Sequence, residues 1–336
     1  MYINKKAVAL ISGGLDSTLA AILIARQGIE VFGIQFLTVF GCDAEYKGHC
    51  VYDVNSLARR FGFHIKLCPA GEEYIRMVEN PRFGYGKNMN PCVDCRIFML
   101  SWAKEYAKEV GATFFVTGEV LNQRPMSQRK IRFQEIDKEA QLEGLVVRPL
   151  SAKLLPPTIP EIEKIVDREQ FYAIKGRSRH VQLQLARELG LQDSEISQPA
   201  GGCLLTDPGF SARLNYLFTI KKSNTEKDIN LMKIGRHFKL PKNTLLVIAR
   251  NEEECRILEE QYFDYGVLIK SNALGPTALM VGNLTEDDIL LGLKILACYI
   301  KKIPPNEQLK FFADNKTYIL QELPQPTFAR EFLITR

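Results

Sequence analysis

The sequence predicts an α/β fold, a domain built on a parallel sheet, followed by a smaller C-terminal α+β domain. Strand-like and helix-like segments alternate through the first half of the chain, a pattern typical of a parallel sheet covered by helices on both faces. The chain has 336 residues, which is longer than one average domain. After about residue 211 the segments become shorter and mixed, and this change indicates a second module.

The elements of the first half follow from short apolar runs bounded by turns and from helical periodicity between them. In order, we expect a strand over 7–12, a helix over 17–27, a strand over 29–36, a helix over 53–62, a strand over 64–70, a helix over 93–110 and a strand over 113–119. The glycine-rich turn after the first strand leads directly into the first helix. This half is the predicted parallel-sheet domain.

The second half begins with a proline-rich connection and a Gly/Pro-rich loop, which mark a change of organisation. We expect helices over 159–169 and 177–189, the loop over 198–210, strands over 245–250, 266–271 and 277–282, and helices over 252–262 and 286–302. The predicted domains are therefore 1–175, a helical and loop connector over 176–212 that carries Cys203, and an α+β domain over 213–336.

The composition is that of a globular protein with a sizeable core, with 46% hydrophobic and 25% charged residues. No apolar run reaches the length of a membrane span, and the N-terminal stretch is too short for a signal peptide, so we expect a cytoplasmic protein with no membrane partner. The net charge of +5 permits a polyanionic partner without requiring one. In that setting the eight cysteines are expected to be reduced, metal-bound or catalytic rather than disulfide-bonded.

The segment ALISGGLDSTLA places a glycine turn between a buried strand and a helix N-terminus, which is an anion-binding geometry. Neither the G-x-x-x-x-G-K-[ST] loop nor the G-x-G-x-x-G turn is present at this position. SGGLDS instead resembles the signature of the PP-loop ATP pyrophosphatases, whose fold is that of the adenine nucleotide alpha hydrolases. The resemblance implies cleavage of ATP to AMP and pyrophosphate with Mg²⁺. It assigns ATP binding to Ser12, Gly13, Gly14, Asp16 and Ser17, with Asp16 also catalytic.

Three cysteines form the second candidate site. Cys92 and Cys95 lie in NPCVDC at the start of a predicted helix, where a C-x-x-C pair can be a metal clip, a redox pair or two core cysteines. Cys203 lies in the glycine-bounded loop and could fold back onto them. Three thiolates with an open fourth position suit a [4Fe–4S] cluster with one iron free for sulfide, and they suit a four-ligand structural zinc site poorly.

NPCVDC and the later lone cysteine resemble the tRNA thiouridine synthases, in which two such thiols act together in sulfur transfer. TGEVLNQRPMSQ, residues 117–128, is similar to a segment of the 4-thiouridine synthases. By that match Gly118, Glu119, Gln123, Ser127 and Gln128 border the nucleotide or the target base; Gly118 and Gln123 are assigned to ATP and Gln128 to RNA. The usual N-terminal RNA-binding extension and a rhodanese domain are missing, so sulfide held by a cluster is preferred to a persulfide relay.

The second module opens with basic and aromatic residues interleaved in KIGRHFKLPK, a pattern that suits phosphates and unpaired bases. A solvated face beside one buried Phe is the alternative. The segment also resembles the RNA-binding domain of the NFACT proteins. We therefore predict RNA contacts at basic positions here and in the helix near the domain junction: Arg177, Arg179, Lys233, Arg236, His237, Lys239 and Lys242.

Together these features predict a tRNA sulfurtransferase that uses ATP, Mg²⁺ and a [4Fe–4S] cluster, with sulfide or a persulfide carrier as sulfur donor and a homodimer as the expected assembly. Cys92, Cys95 and Cys203 are its predicted cluster ligands and, with Asp16, its catalytic residues. A PP-loop ligase that aminates a small molecule and a non-catalytic RNA-binding protein remain alternatives. The loop with Cys42, His49 and Cys50 is a weaker candidate metal site.

Overall fold

The computed structural model describes residues 5–41, 54–196, 203–300, 308–320 and 322–335. The chain divides into two compact units, residues 1–206 and 207–336. The helix His180–Glu188, which the sequence placed in a connector, contributes Leu185 and Ala186 to the main core of the first unit. Along the chain, the boundary between the compact units lies at 206/207. The sequence had predicted boundaries after residues 175 and 212.

The first unit is built on a five-stranded sheet in which every described strand pair is parallel, in the order β3-β2-β1-β4-β5. Its strands are β1 Lys6–Leu10, β2 Glu30–Leu37, β3 His64–Pro69, β4 Phe114–Thr117 and β5 Val146–Val147. The predicted parallel-sheet α/β fold is confirmed, as are the first four strands. β5 was not predicted, because two residues are too short for a periodic signal.

Helices cover both faces of this sheet. They are α1 Leu15–Ala25, α2 Val54–Phe61, α3 Gly71–Glu79, α4 Cys92–Val110, α5 Lys130–Glu139, α6 Ile159–Ile162 and α7 His180–Glu188. Alternate residues of β1 enter opposite cores: Ala7 and Ala9 pack on the side of α1, and Val8 and Leu10 on the side of α4. Two apolar cores thus fix β1 at the centre of the sheet.

The helix expected over 159–169 is shorter than predicted. Thr158 and Glu161 form a capping box that starts α6. Lys164 then adopts a left-handed backbone with φ of 55°, which stops the helix after little more than one turn.

The order of the strands places a crevice beside the end of β1. β1 lies between β2 and β4, and the chain leaves β1 toward β2 on one side and returns in β4 on the other. In open α/β sheets, ligands bind at such a point, outside the carboxyl ends of the strands. The turn after β1 and the turn after β4 therefore border one crevice.

The second unit is an antiparallel six-stranded sheet in the order β11-β10-β8-β9-β7-β6. The strands are β6 Arg236–Leu240, β7 Thr244–Ile248, β8 Val267–Ser271, β9 Ala278–Val281, β10 Lys310–Ala313 and β11 Lys316–Ile319. Its helices are α8 Pro208–Ile220, α9 Glu226–Leu231, α10 Glu252–Gln261 and α11 Glu286–Ala297. The predicted smaller α+β domain is confirmed.

Three of these strands were not predicted. β6 occupies the basic segment that the sequence analysis interpreted only as an RNA-binding stretch. β10 and β11 form a hairpin whose turn residues Asp314 and Asn315 both have positive φ, the geometry of a two-residue type I′ turn. No helix in the described part of the chain is long and apolar enough to cross a membrane.

Candidate active site

The loop after β1 is held in shape by its own hydroxyl groups. Gly13 has φ of 74°, a left-handed conformation that glycine adopts without strain. The Ser17 hydroxyl donates to the Gly14 carbonyl oxygen at 2.9 Å and accepts the Ser12 backbone N–H at 3.1 Å. Gly14 precedes α1, so the positive end of the helix dipole lies at this turn. The loop thus has the geometry of an anion site, although the Ser17 hydroxyl shapes the loop from within.

Asp16 lies in the first turn of α1 with one carboxylate oxygen bound and the other unsatisfied. Gln123 Nε2 donates to Asp16 Oδ2 at 2.8 Å across 107 residues of sequence. Asp16 Oδ1 is buried and has no hydrogen-bond partner among the described residues. Carboxylate oxygens next to phosphate-binding loops are the ligands that Mg²⁺ takes. The unsatisfied oxygen of Asp16 therefore fits a role in holding Mg²⁺ with ATP phosphates.

Gly118 packs directly against the start of α1. A Cβ atom at Gly118 would lie 2.3 Å from the Ser17 backbone nitrogen and 2.5 Å from the Asp16 carbonyl oxygen. The turn after β4 therefore approaches the phosphate loop more closely than any side chain allows. This contact explains why TGE needs glycine at its centre.

Glu119 belongs to a buried ionic network rather than to an open ligand surface. Its carboxylate accepts hydrogen bonds from Arg148 Nε at 3.0 Å and from the Thr117 hydroxyl at 3.1 Å, and its other oxygen lies 3.4 Å from Arg96 Nε. Arg148 also binds both oxygens of Asp137, at 2.9 and 2.7 Å. Burying one charge without its partner is costly, so the network fixes the end of β4 against α4 and α5.

The three predicted thiols converge within the first unit. Cys92 and Cys95 lie in the first turn of α4. Cys203 pairs with Gly41 in an antiparallel bridge just after β2, and the Leu204 N–H donates to the Phe40 carbonyl at 3.0 Å. The next residue, Leu205, accepts the Met89 N–H at 3.2 Å, near the entry to α4. The chain thus returns Cys203 to the loop that leads into the C-x-x-C pair.

Burial and mutual repulsion keep two of these thiols protonated. The pKa of Cys203 is raised to about 12, mainly by burial, with smaller contributions from the neighbouring Cys95 and Cys92. Burial also raises the pKa of Cys92, again with a contribution from Cys95, and the Cys92 thiol donates to Asn90 Oδ1 at 3.1 Å. The Tyr74 hydroxyl donates to Cys95 Sγ at 3.0 Å. Loss of these protons therefore needs a positively charged ligand.

The donor chemistry of this cluster suits an iron–sulfur group, and its arrangement is not that of a preformed site. Three soft thiol donors lie together, and Arg96 and Arg124 act on Cys92 as nearby positive charges. Among the residues that the structure describes, no group of three or more His, Cys, Asp or Glu side chains is spaced to hold a metal ion. Cys42, His49 and Cys50 lie outside the described residues.

Comparison with known protein families matches both units. Residues 2–153 match the family model of the thiamine biosynthesis protein ThiI, and residues 235–322 match that of the NFACT protein RNA binding domain. The first unit is thus similar to the ThiI family and the second to the NFACT RNA-binding domains. Residues 1–206 are named the PP-loop unit below, and residues 207–336 the NFACT-type unit.

Individual relatives and solved structures match this chain over part of their own length. The chain is 32% identical to a tRNA-specific 2-thiouridylase MnmA of Syntrophotalea carbinolica over 34% of each chain, and 25% identical to that of Clostridium kluyveri over 69% of this chain and 65% of the relative. It therefore spans less than two thirds of either relative. A 4-thiouridine synthetase in complex with RNA and ATP aligns with a TM-score of 0.36 at 21% identity, over 55% of this chain and 51% of that chain.

The NFACT-type unit buries several of the predicted RNA-binding residues. Because β6 is a strand, Arg236–Leu240 alternates between its two faces, and each face carries buried residues, His237 on one and Phe238 and Leu240 on the other. His237 is 1% exposed, with Nε2 3.2 Å from the Leu231 carbonyl oxygen, and Lys233 is 8% exposed. Burial lowers the pKa of His237 to about 3, so the ring is neutral at pH 7. This burial does not favour RNA contacts by His237 and Lys233, and those contacts stay a prediction.

Gln128 in the PP-loop unit is buried as well. It is 3% exposed, and its backbone carbonyl accepts the Asn122 N–H at 2.6 Å, which closes the loop over 122–128; its RNA contact stays a prediction. Arg236 is half-buried, with its guanidinium 5.2 Å from the ring centre of Tyr299. The remaining predicted RNA contacts lie on the surface, fully or in part: Arg177, Arg179, Lys239 and Lys242.

Four residues near the site were not predicted. Tyr74 and Arg148 are distant in sequence from the groups that they contact, and no local pattern marks them. Arg96 directly follows Cys95, and Arg124 directly follows Gln123. A basic residue next to a predicted thiolate or phosphate ligand was the signal that could have identified these two arginines.

Proposed function

We propose that this protein is an ATP-dependent tRNA sulfurtransferase, which adenylates a uridine carbonyl and replaces its oxygen with sulfur. The proposal depends mainly on one observation: the phosphate loop with its Asp16–Gln123 pair and the three thiols occur in one unit, at the carboxyl end of one parallel sheet. The ThiI family match and the tRNA thiouridylase relatives support it. The NFACT-type unit suits an RNA substrate.

In the first half-reaction, the uridine carbonyl oxygen attacks the α-phosphorus of ATP, and the bond to the β-phosphate oxygen breaks as pyrophosphate leaves. The glycine turn after β1 and the α1 dipole stabilise the charge that develops on the pyrophosphate. Asp16 holds Mg²⁺ through its unsatisfied oxygen, and Gln123 orients the carboxylate. The target base must leave its stack to reach the crevice.

In the second half-reaction, a carbon–sulfur bond forms at the activated carbon, the carbon–oxygen bond breaks, and AMP leaves with the oxygen. A [4Fe–4S] cluster held by Cys92, Cys95 and Cys203 would supply sulfide as the nucleophile. Tyr74 orients Cys95 through its hydrogen bond, and Arg96 and Arg124 place positive charge beside anionic sulfur.

Coupling of ATP cleavage to RNA tests the reaction class. We expect AMP and pyrophosphate to form when tRNA is added to ATP, Mg²⁺ and sulfide, in step with thiolated nucleoside. If AMP forms at the same rate without tRNA, and its formation instead requires ammonium and a small carboxylate, the chain is an amidating ligase. An absence of ATP cleavage combined with tRNA binding would leave only an RNA-binding role.

Iron and acid-labile sulfide, measured on protein purified without oxygen, test the cluster separately from activity. We expect both in the wild type and in the control variant Cys255→Ser, and loss of both in Cys92→Ser. Cys255 is a suitable control because its sulfur accepts the Thr277 N–H at 3.4 Å in the NFACT-type unit. A colourless protein with stoichiometric zinc would contradict the cluster assignment.

A further inference from the structure

An exposed strip lies at one end of the NFACT-type sheet. Its residues share one face because they are directly paired: Phe312 lies opposite Lys270 on β8 and Thr317 on β11, and Lys310 lies opposite Ile319. We name these five residues the β10 strip. The alternate residues of β10, Phe311 and Ala313, point to the other face and are 0% and 2% exposed in the core.

The middle of the same face is covered. Leu268 lies two residues before Lys270 on β8 and so shares its face. Leu268 is paired with Leu279 on β9, Leu279 with Val247 on β7, and Val247 with His237 on β6. These last three residues are at most 1% exposed. At the β10 strip the covering ends, and Phe312 and Ile319 are 45% and 48% exposed. The face is therefore exposed at the β10 strip, and on β6 at Lys239, with a covered stretch over Leu279, Val247 and His237 between them.

The strip combines the groups that hold an unpaired nucleotide. Phe312 offers an aromatic ring for stacking on a base, and exposed Ile319 extends the apolar surface. Lys310 is exposed, and among the described residues no carboxylate lies within 4 Å of its amino group. Lys270 is held at 2.6 Å by Glu259 Oε2 and remains half exposed. The Thr317 hydroxyl adds a donor and acceptor.

We propose that the β10 strip is the platform on which the NFACT-type unit stacks unpaired nucleotides of its RNA substrate. Phe312 stacks on a base, and Lys310 and Lys270 neutralise the flanking phosphates. The inference rests on the proposed function for its ligand, and the match to an RNA-binding domain covers every residue of the strip. It also gives the unit an RNA-binding face, whereas the predicted RNA-binding residues Lys233 and His237 are buried.

Binding of the full chain to fluorescent oligouridine and to tRNA, measured across a range of salt concentrations, tests the platform. We expect Phe312→Ala to weaken binding about tenfold, within the range of one lost base stack, and Phe312→Tyr to restore it. Lys310→Gln should lower the slope of log affinity against log salt by about 0.7 on the single strand. Phe263→Ala and Lys294→Gln are matched controls, exposed in the same unit outside the strip.

The outcomes separate the platform from the function. If the wild type binds and thiolates tRNA while Phe312→Ala binds as tightly as Phe263→Ala, the platform is refuted and the function stands. If the wild type neither binds RNA nor thiolates it, the proposed function fails and the platform with it. If Phe312→Ala instead dissociates a dimer in sedimentation without changing RNA affinity, the strip binds a second copy, and the RNA assignment is wrong.

Discussion

Replacement of Gly118 by alanine would force a methyl group into the backbone that begins α1. The added Cβ would lie 2.3 Å from the Ser17 nitrogen, and ordinary van der Waals contact begins at 3.4 Å, so the turn after β4 and the phosphate loop must separate by about 1 Å. Both segments lie beside buried strands, and overpacking of this kind costs about 1–3 kcal/mol of folding stability. A 1 Å displacement of a catalytic group lowers rates about 100-fold.

We therefore expect Gly118→Ala to fold, to bind tRNA through the NFACT-type unit, and to form AMP about 100-fold more slowly than the wild type. The assay is release of AMP and pyrophosphate at saturating tRNA, with calorimetric unfolding as the check on folding. Gly209→Ala is the matched control, because a Cβ at Gly209 meets nothing closer than 3.4 Å. A Gly118→Ala rate within twofold of the wild type would refute the close-approach argument.

Three further predictions address other parts of the molecule. Asp16→Asn should abolish AMP formation and leave the affinity for RNA unchanged, because it removes a Mg²⁺ ligand and no RNA contact; residual AMP formation above about 1% of wild type would count against that role. Cys203→Ala should stop thiolation while ATP is still cleaved, and an undiminished thiolated product would exclude Cys203 from sulfur transfer. His237 has a folded pKa of about 3 against an ordinary value of 6.5, so the unfolded chain takes up the proton first and stability falls as the pH drops below about 6.5. The free energy of unfolding is expected to fall by about 5 kcal/mol in total by pH 3. Calorimetry of the full chain, followed at the transition of the NFACT-type unit, should show this fall in the wild type and not in His237→Gln.

The phosphate loop could be predicted because all of its determinants are local. SGGLDS contains the strand end, the turn and the helix start within a few residues, and in the structure Gly13 lies in the turn and Asp16 and Ser17 in the first turn of α1. The convergence of Cys203 on the C-x-x-C pair depended on a resemblance, since a glycine-rich loop more than 100 residues away carries no signal of where it packs.

The basic segment KIGRHFKL shows where pattern reasoning failed. Interleaved basic and aromatic residues were interpreted by charge. However, polar His237 and Lys239 alternate with apolar Phe238 and Leu240, which is the period of two of a strand. Tertiary packing then buried His237, where the positive charges of Arg213 and Arg250 act on its ring. The ionic network around Glu119 could not be predicted from the sequence either, because Arg148 and Asp137 come together with Glu119 only when β4, β5 and α5 are packed.

Nucleoside mass spectrometry tests the central claim most directly. The protein, purified without oxygen, is incubated with unmodified tRNA, ATP, Mg²⁺ and sulfide, and the tRNA is digested and analysed, with Asp16→Asn as the matched blank. The account predicts a uridine whose mass has gained sulfur and lost oxygen, present only with ATP and only with the wild type. No such nucleoside, from protein that cleaves ATP and carries its cluster, would contradict the assignment of tRNA thiolation.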